Sequence, residues 1–215
     1  MRTVDEVTDE RGRVQIPGPP PAKFIFHHTQ ASWLWLAVRL WVGWQWLEAA
    51  GRKLTNPAWM DGSGRAILGF WDKALGTTPD GQPQISFDWY RGFIQLLVDH
   101  HAEGWFSKLI VCGELAVGLG LILGAFTGLA AAGGLLMSES YMLAGTAATS
   151  PLLALFEILL IFAWKTAGYI GLDRFLLPTL VPWWSPQDID LDTRTRGDDS
   201  LSRSRPSYPT RPYRR

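Results

Sequence analysis

The chain of 215 residues contains one cysteine, Cys112, and only four histidines, and its 20 Lys+Arg cancel its 20 Asp+Glu. A single cysteine excludes an intramolecular disulfide framework, a Cys-x-x-Cys redox centre and a cysteine-rich metal site. Zero net charge leaves no electrostatic footprint for nucleic acid. There is no P-loop and no dinucleotide fingerprint. The histidines form two adjacent pairs, His27–His28 and His100–His101, and neither pair lies within an apolar segment. A membrane haem held by axial histidines at depth is therefore not expected, nor is a flavin or a resident metal. His100–His101 reads either as a solvated interfacial pair or as a contact for a headgroup, a metal or a quinone ring. The polar start does not read as a signal peptide, because no short apolar core follows a basic stretch.

The chain is rich instead in tryptophan, with 12, and in glycine, with 22, and 47% of its residues are hydrophobic. Its mean hydropathy of +0.03 averages greasy and polar segments. Residues 1–30 read as a disordered arm with the run Pro17-Gly18-Pro19-Pro20-Pro21. Residues 31–184 hold the apolar segments, and residues 185–215 read as a disordered tail rich in Arg and Pro. Four segments approach the ~20 residues that cross a bilayer: Ala31–Ala50, Leu109–Phe126, Leu129–Gly145 and Leu152–Leu172. Their apolar residues lie on all faces, which argues against core helices of a water-soluble protein. The expected fold is an all-α membrane protein, a four-transmembrane-helix bundle with a long extracytoplasmic loop bearing short interfacial helices. That loop, Gly51–Lys108, contains two amphipathic stretches, Ser63–Leu75 and Phe87–His100, expected to lie at the membrane surface. Trp59, Trp71, Trp89 and Trp105 would then sit at headgroup level.

Four spans put both termini on one side. Arg2, Arg11, Arg13 and Lys23 in the arm, with seven arginines between Arg194 and Arg215, favour cytoplasmic termini and an outer loop in the inner (plasma) membrane.

Ionisable residues at bilayer depth are costly and need a partner or a role. Arg39 and Glu114 fall near the middles of the first and second segments, at similar depth, and pairing them would offset part of the cost. Such a pair would either fix helix packing or act directly. Gly43 and Gly118 stand four residues beyond them, on the same faces, leaving room for a close neighbour. Gly120, Gly124 and Gly128 form a further run of small residues for helix packing. Glu48 has Arg52 and Lys53 one turn away as local partners. Glu48, Glu139 and Glu157 all fall in the outer half, where carboxylates outnumber cations. Some of these are expected to face a polar cavity or hold a proton, which suits proton release from a quinol or uptake in a carrier.

The order of residues resembles the DoxX family, and within it the DoxD-like branch, the large subunit of thiosulfate:quinone oxidoreductases. The likeness runs from about Trp33 to Trp184. It rests on Arg39-Leu40 with Gly43, Ala50-Gly51 and Lys53-Leu54, then on Glu114-Leu115 with Gly118, Leu121 and Gly124. It is most specific in Tyr141-Met142-Leu143-Ala144-Gly145-Thr146 followed by Pro151, and in Trp164-Lys165, Ala167-Gly168-Tyr169, Gly171-Leu172-Asp173-Arg174 and Pro178. The chain carries Ser138, Ser140 and Ser150 where such relatives often have Asn. The resemblance implies a four-helix membrane bundle working near the quinone pool with partner redox subunits. On that reading Arg39, Glu114, Asp173 and Arg174 would shape a quinone cavity, with Asp173 orienting Arg174 at the inner surface, or else these last two would anchor a helix end. Glu48, Glu139 and Glu157 would handle protons. The alternatives are a non-catalytic accessory subunit of a larger membrane redox complex and a small-solute or proton carrier.

Overall fold

The computed structural model describes residues 7–8, 14–15, 25–26, 29–79, 81–146 and 148–180. Within them the regular structure is helical apart from one pair of two-residue strands, β1 (Val7–Thr8) and β2 (Val14–Gln15), antiparallel with Val7 opposite Gln15. The expected disorder of the tail and of most of the arm, together with His27–His28 and Trp183–Trp184, lies outside the described residues. The chain divides into two units after Leu176, and the contacts described below lie in the first.

The first long helix, α1, runs from Ser32 to Leu54, one turn beyond the expected segment. Gly51-Arg52-Lys53-Leu54 stays helical because two cations in the last turn oppose the helix dipole. The helix stops where Pro57 forces Asn56 into an extended conformation, and Asn56 then caps the short α2 (Pro57–Met60) by accepting from the Ala58 N–H. The two expected loop helices form as α3 (Arg65–Leu75) and α4 (Asp88–Asp99). Three helices follow: α5 (Glu103–Leu123), α6 (Thr127–Leu143) and α7 (Ser150–Phe162, with Pro151 in its first turn). The expected fourth segment is not continuous. It breaks at Ala163 into α7, the five-residue α8 (Trp164–Gly168) and, after a turn, α9 (Asp173–Leu180).

Of the described helices, α5 is long and apolar enough to cross a membrane, and α7 is apolar but shorter. The buried seams follow a three-four spacing: Ser32, Trp35, Arg39, Val42 and Trp46 on α1, and Ser107, Val111, Glu114, Gly118 and Leu121 on α5. This is the spacing of interlocking helices, yet the seams carry Ser, Arg, Glu and Gly. Large apolar side chains point outward instead, among them Trp33, Trp44, Leu119, Leu129, Leu136 and Phe162.

The loop builds a second core. Ile67, Trp71 and Ala74 of α3 pack with Ile85, and with Tyr90 and Ile94 of α4. Trp89 and Trp105 are exposed as expected, but Trp71 is 2% exposed. It belongs to this core rather than to a surface belt, because α3 turns its apolar face toward α5 and edges Trp71 against Phe106.

Candidate functional site

Helices α1 and α5 touch through the glycines singled out above. A methyl group on Gly43 would lie 3.1 Å from the Gly118 carbonyl oxygen, and one on Gly118 would lie 2.7 Å from the Leu47 side chain. This closeness lets three polar layers form along α1, at Arg39, Trp46 and Lys53. Seven-residue spacing keeps them on one face, roughly 10 Å apart at 1.5 Å per residue.

In the first layer Arg39, 1% exposed, does not meet Glu114. Its guanidinium donates to the carbonyls of Ala167 (2.9 Å) and Ile170 (2.7 Å). The expected pairing fails because the break after Gly168 turns free carbonyls inward, and helix ends need donors. The nearest countercharge is Asp173. That carboxylate is 1% exposed and accepts from the backbone N–H groups of Phe126 (2.5 Å) and Thr127 (2.8 Å). It thereby caps α6 from a distant segment, as an acidic residue at a helix N-terminus does. The N–H groups of Leu172 and Asp173 close the end of α5 on the carbonyls of Leu123 (3.1 Å) and Gly124 (2.7 Å). Gly124 has φ of +64°, and Gly171 presses on it, with 2.9 Å between the Gly124 Cα and any Cβ added at Gly171. Asp173 does not orient Arg174, which is exposed and lies over the Tyr169 ring at 5.2 Å.

The middle layer is a buried carboxylate. Glu157 of α7 accepts from Trp46 Nε1 (2.7 Å) and Ser138 Oγ (2.9 Å). A serine thus supplies the polar contact on α6. Gly134 makes space, since a Cβ there would stand 2.6 Å from Glu157 Oε1.

In the third layer Lys53 pairs with Glu114 rather than with Glu48. Tyr141 of α6 donates to the same Glu114 oxygen at 2.8 Å, and Lys53 Nζ stands over the rings of Trp59 (5.0 Å) and Tyr141 (5.5 Å). Glu114 Oε2 is buried and has no partner among the described residues. Glu48 pairs with Arg52 as expected, on the exposed side of α1. Glu139 is exposed, and Cys112 faces outward from α5. His100 and His101 are exposed, and no group of three metal-ligating side chains gathers among the described residues.

Beside the third layer lies a groove of about 890 Å³ between α5 and α6, with α3 and α4 over one end. It follows α5 from Phe106 to Leu123, roughly 25 Å at 1.5 Å per residue. Its volume falls in the range of small-molecule sites, which is about 300–1,000 Å³. Small residues open it, among them Gly113, Ala116, Gly120 and Gly133, and the hydroxyl-bearing side chains on its wall are Tyr90, Ser140 and Tyr141. None of Arg39, Glu114, Asp173, Arg174, Glu48, Glu139 or Glu157 lines it. Of the expected cavity residues, Arg39 and Asp173 seal helix ends and Glu114 joins a helix seam, while Arg174 stays outside. Tyr141 alone both lines the groove and touches a buried charge.

Lys53, expected beside Glu48, is instead the partner of Glu114, and Trp46, Ser138 and Tyr141 are partners that the sequence does not single out. The signal for Lys53 and Trp46 was their spacing from Arg39. Tyr141 gave no such signal, because its partner lies on another helix. No family model, curated protein or solved structure matches the chain.

Proposed function

We propose that this chain is a four-span integral membrane protein of the inner (plasma) membrane, with both termini cytoplasmic, and that it serves as the membrane subunit of a quinone-linked oxidoreductase of the thiosulfate:quinone kind. The observation that carries the membrane reading is the reversal of polarity. Arg39, Glu114 and Glu157 are each no more than 1% exposed, while Trp33, Leu129 and Phe162 are each at least 70% exposed. Water would penalise that outer surface, whereas a bilayer favours it and requires polar groups to be satisfied within. In this reading α1 spans with its 23 residues, roughly 35 Å, and α7 and α8 together make the last crossing. Trp89, Phe93 and Leu96 form the exposed face of α4 and rest in the interface.

The quinone reading is supported by Tyr141, which joins an apolar groove to a buried carboxylate. Its hydroxyl gives a proton a route between Glu114 and a ring in the groove, inward to the ring when a quinone is reduced. Of the three carboxylates assigned to proton handling, Glu157 is buried, while Glu48 and Glu139 face outward. Partner subunits supply the electron donor site, since the one thiol points away from the bundle. A second reading, an accessory subunit without its own chemistry, is favoured by the Arg39 and Asp173 network, whose hydrogen bonds all stay inside the protein.

The test is purification in mild detergent, followed by identification of bound quinone and of co-purifying proteins. The proposal expects quinone together with a redox partner, and thiosulfate-dependent quinone reduction only with that partner. A stoichiometric redox partner with no quinone on this chain selects the accessory reading. Absence of both overturns the proposal.

A further inference from the structure

The hydroxyl groups along the α5–α6 groove share one property. Tyr141 gives its proton to Glu114 (2.8 Å) and accepts one from Lys53 (3.5 Å), which leaves its oxygen one lone pair; Tyr90 gives its own proton to the Ser140 carbonyl (2.8 Å), and Ser140 gives its own to the Leu136 carbonyl (2.7 Å). Burial pushes the Tyr90 phenol above its usual value, so that proton stays in place. Each hydroxyl therefore turns a lone pair, not a proton, toward a ligand. Behind Tyr141 the Glu114 Oε2 is one more buried acceptor without a donor among the described residues. The other side chains of the wall are apolar.

Resting on the quinone-linked reading above, we infer that this groove binds a hydroxylated ring carrying a long apolar tail, and that it takes the reduced, hydroxyl-bearing form in preference to the oxidised, carbonyl-bearing one. A quinol donates two protons to a wall of acceptors. A quinone brings only acceptors to the same wall and leaves both sides unbonded, which is costly in an apolar site. The tail lies along the α5–α6 wall past Gly133, where a side chain is missing and the nearest atom to an added Cβ is Val117 Cγ2 at 3.5 Å.

The full chain in nanodiscs, kept anaerobic, is titrated with a decyl hydroquinone, the matching decyl quinone and decylbenzene. The baseline is Gly133→Leu, whose new Cβ meets only Val117 Cγ2 at 3.5 Å, an ordinary contact. Its melting temperature shows that it folds. Saturable hydroquinone binding, tighter than quinone by at least about tenfold and absent from Gly133→Leu, is the expected result. The preference should collapse in Tyr141→Phe and weaken in Ser140→Ala. Equal or tighter quinone binding overturns the donor rule and leaves the quinone-linked reading standing. Decylbenzene binding as well as the hydroquinone reduces the groove to a slot for any lipid tail and overturns the inference. Folded Gly133→Leu that binds like the parent overturns the location. Selective hydroquinone binding by a chain that purifies with neither quinone nor redox partner supports the site and sinks the functional reading instead.

Discussion

Arg39 and Lys53 stand two heptads apart on one face of α1, and each answers an acidic residue from elsewhere in the fold. Arg39 is held by backbone carbonyls, and its countercharge Asp173 is held by backbone amides. In that layer Arg39 Nε and the Thr127 hydroxyl are left without a partner among the described residues. Lys53 and Glu114 are held by side chains alone, the lysine side chain is 18% exposed, and a carboxylate oxygen remains free. Backbone partners make a closure that fixes the fold. Side-chain partners make one that a ligand can enter. The difference teaches that burial of charge does not by itself mark a functional site; an unspent bond beside open volume is the better sign.

The comparison breaks most sharply at Arg39. Arg39→Leu leaves two inward carbonyls unbonded and Asp173 without its cation, and should cost about 3–5 kcal/mol. Thermal unfolding in detergent measures it, and an unchanged melting temperature would remove Arg39 from the structural role. Trp46→Phe, in the middle layer, takes the donor from Glu157 Oε1 and should cost about 1–3 kcal/mol, read in the same way. Tyr141→Phe should cost about 1 kcal/mol, with stability nearly kept while ligand selectivity is lost. That split between folding and binding separates the third layer from the first. Least of all, Glu48→Ala removes an exposed pair with Arg52 and should shift stability by no more than about 0.5 kcal/mol. A larger effect would mean that this face of α1 is covered in the working protein.

Much of the helical plan was legible. The stretches expected at Ser63–Leu75 and Phe87–His100 appear as α3 and α4 within two residues at each end, because amphipathic periodicity and the Gly76 stop are local signals. The close approach at Gly43 and Gly118 was legible for the same reason. The pairing of charges was not. Arg39 and Glu114 each fall near the middle of their segments by residue count, but α1 and α5 pack with Gly43 beside Gly118, a register that brings Arg39 to Gly124 and Glu114 to Lys53, two heptads along the same face of α1. The break at Ala163 was also hidden, since Ile161-Phe162-Ala163-Trp164 has no proline or glycine to announce it.

From composition and periodicity alone came the helices, the glycine contacts and the burden of ionisable groups in apolar segments. Those follow from interactions within a turn or two, which the sequence states directly. Which charge meets which partner, that Asp173 caps α6 while Arg174 stays outside, and that small residues on α5 and α6 leave a groove ending at Tyr141, was decided only by tertiary packing. Each depends on atoms distant in the chain brought within a few ångströms, and on hydrogen-bonding groups that helix ends leave unpaired.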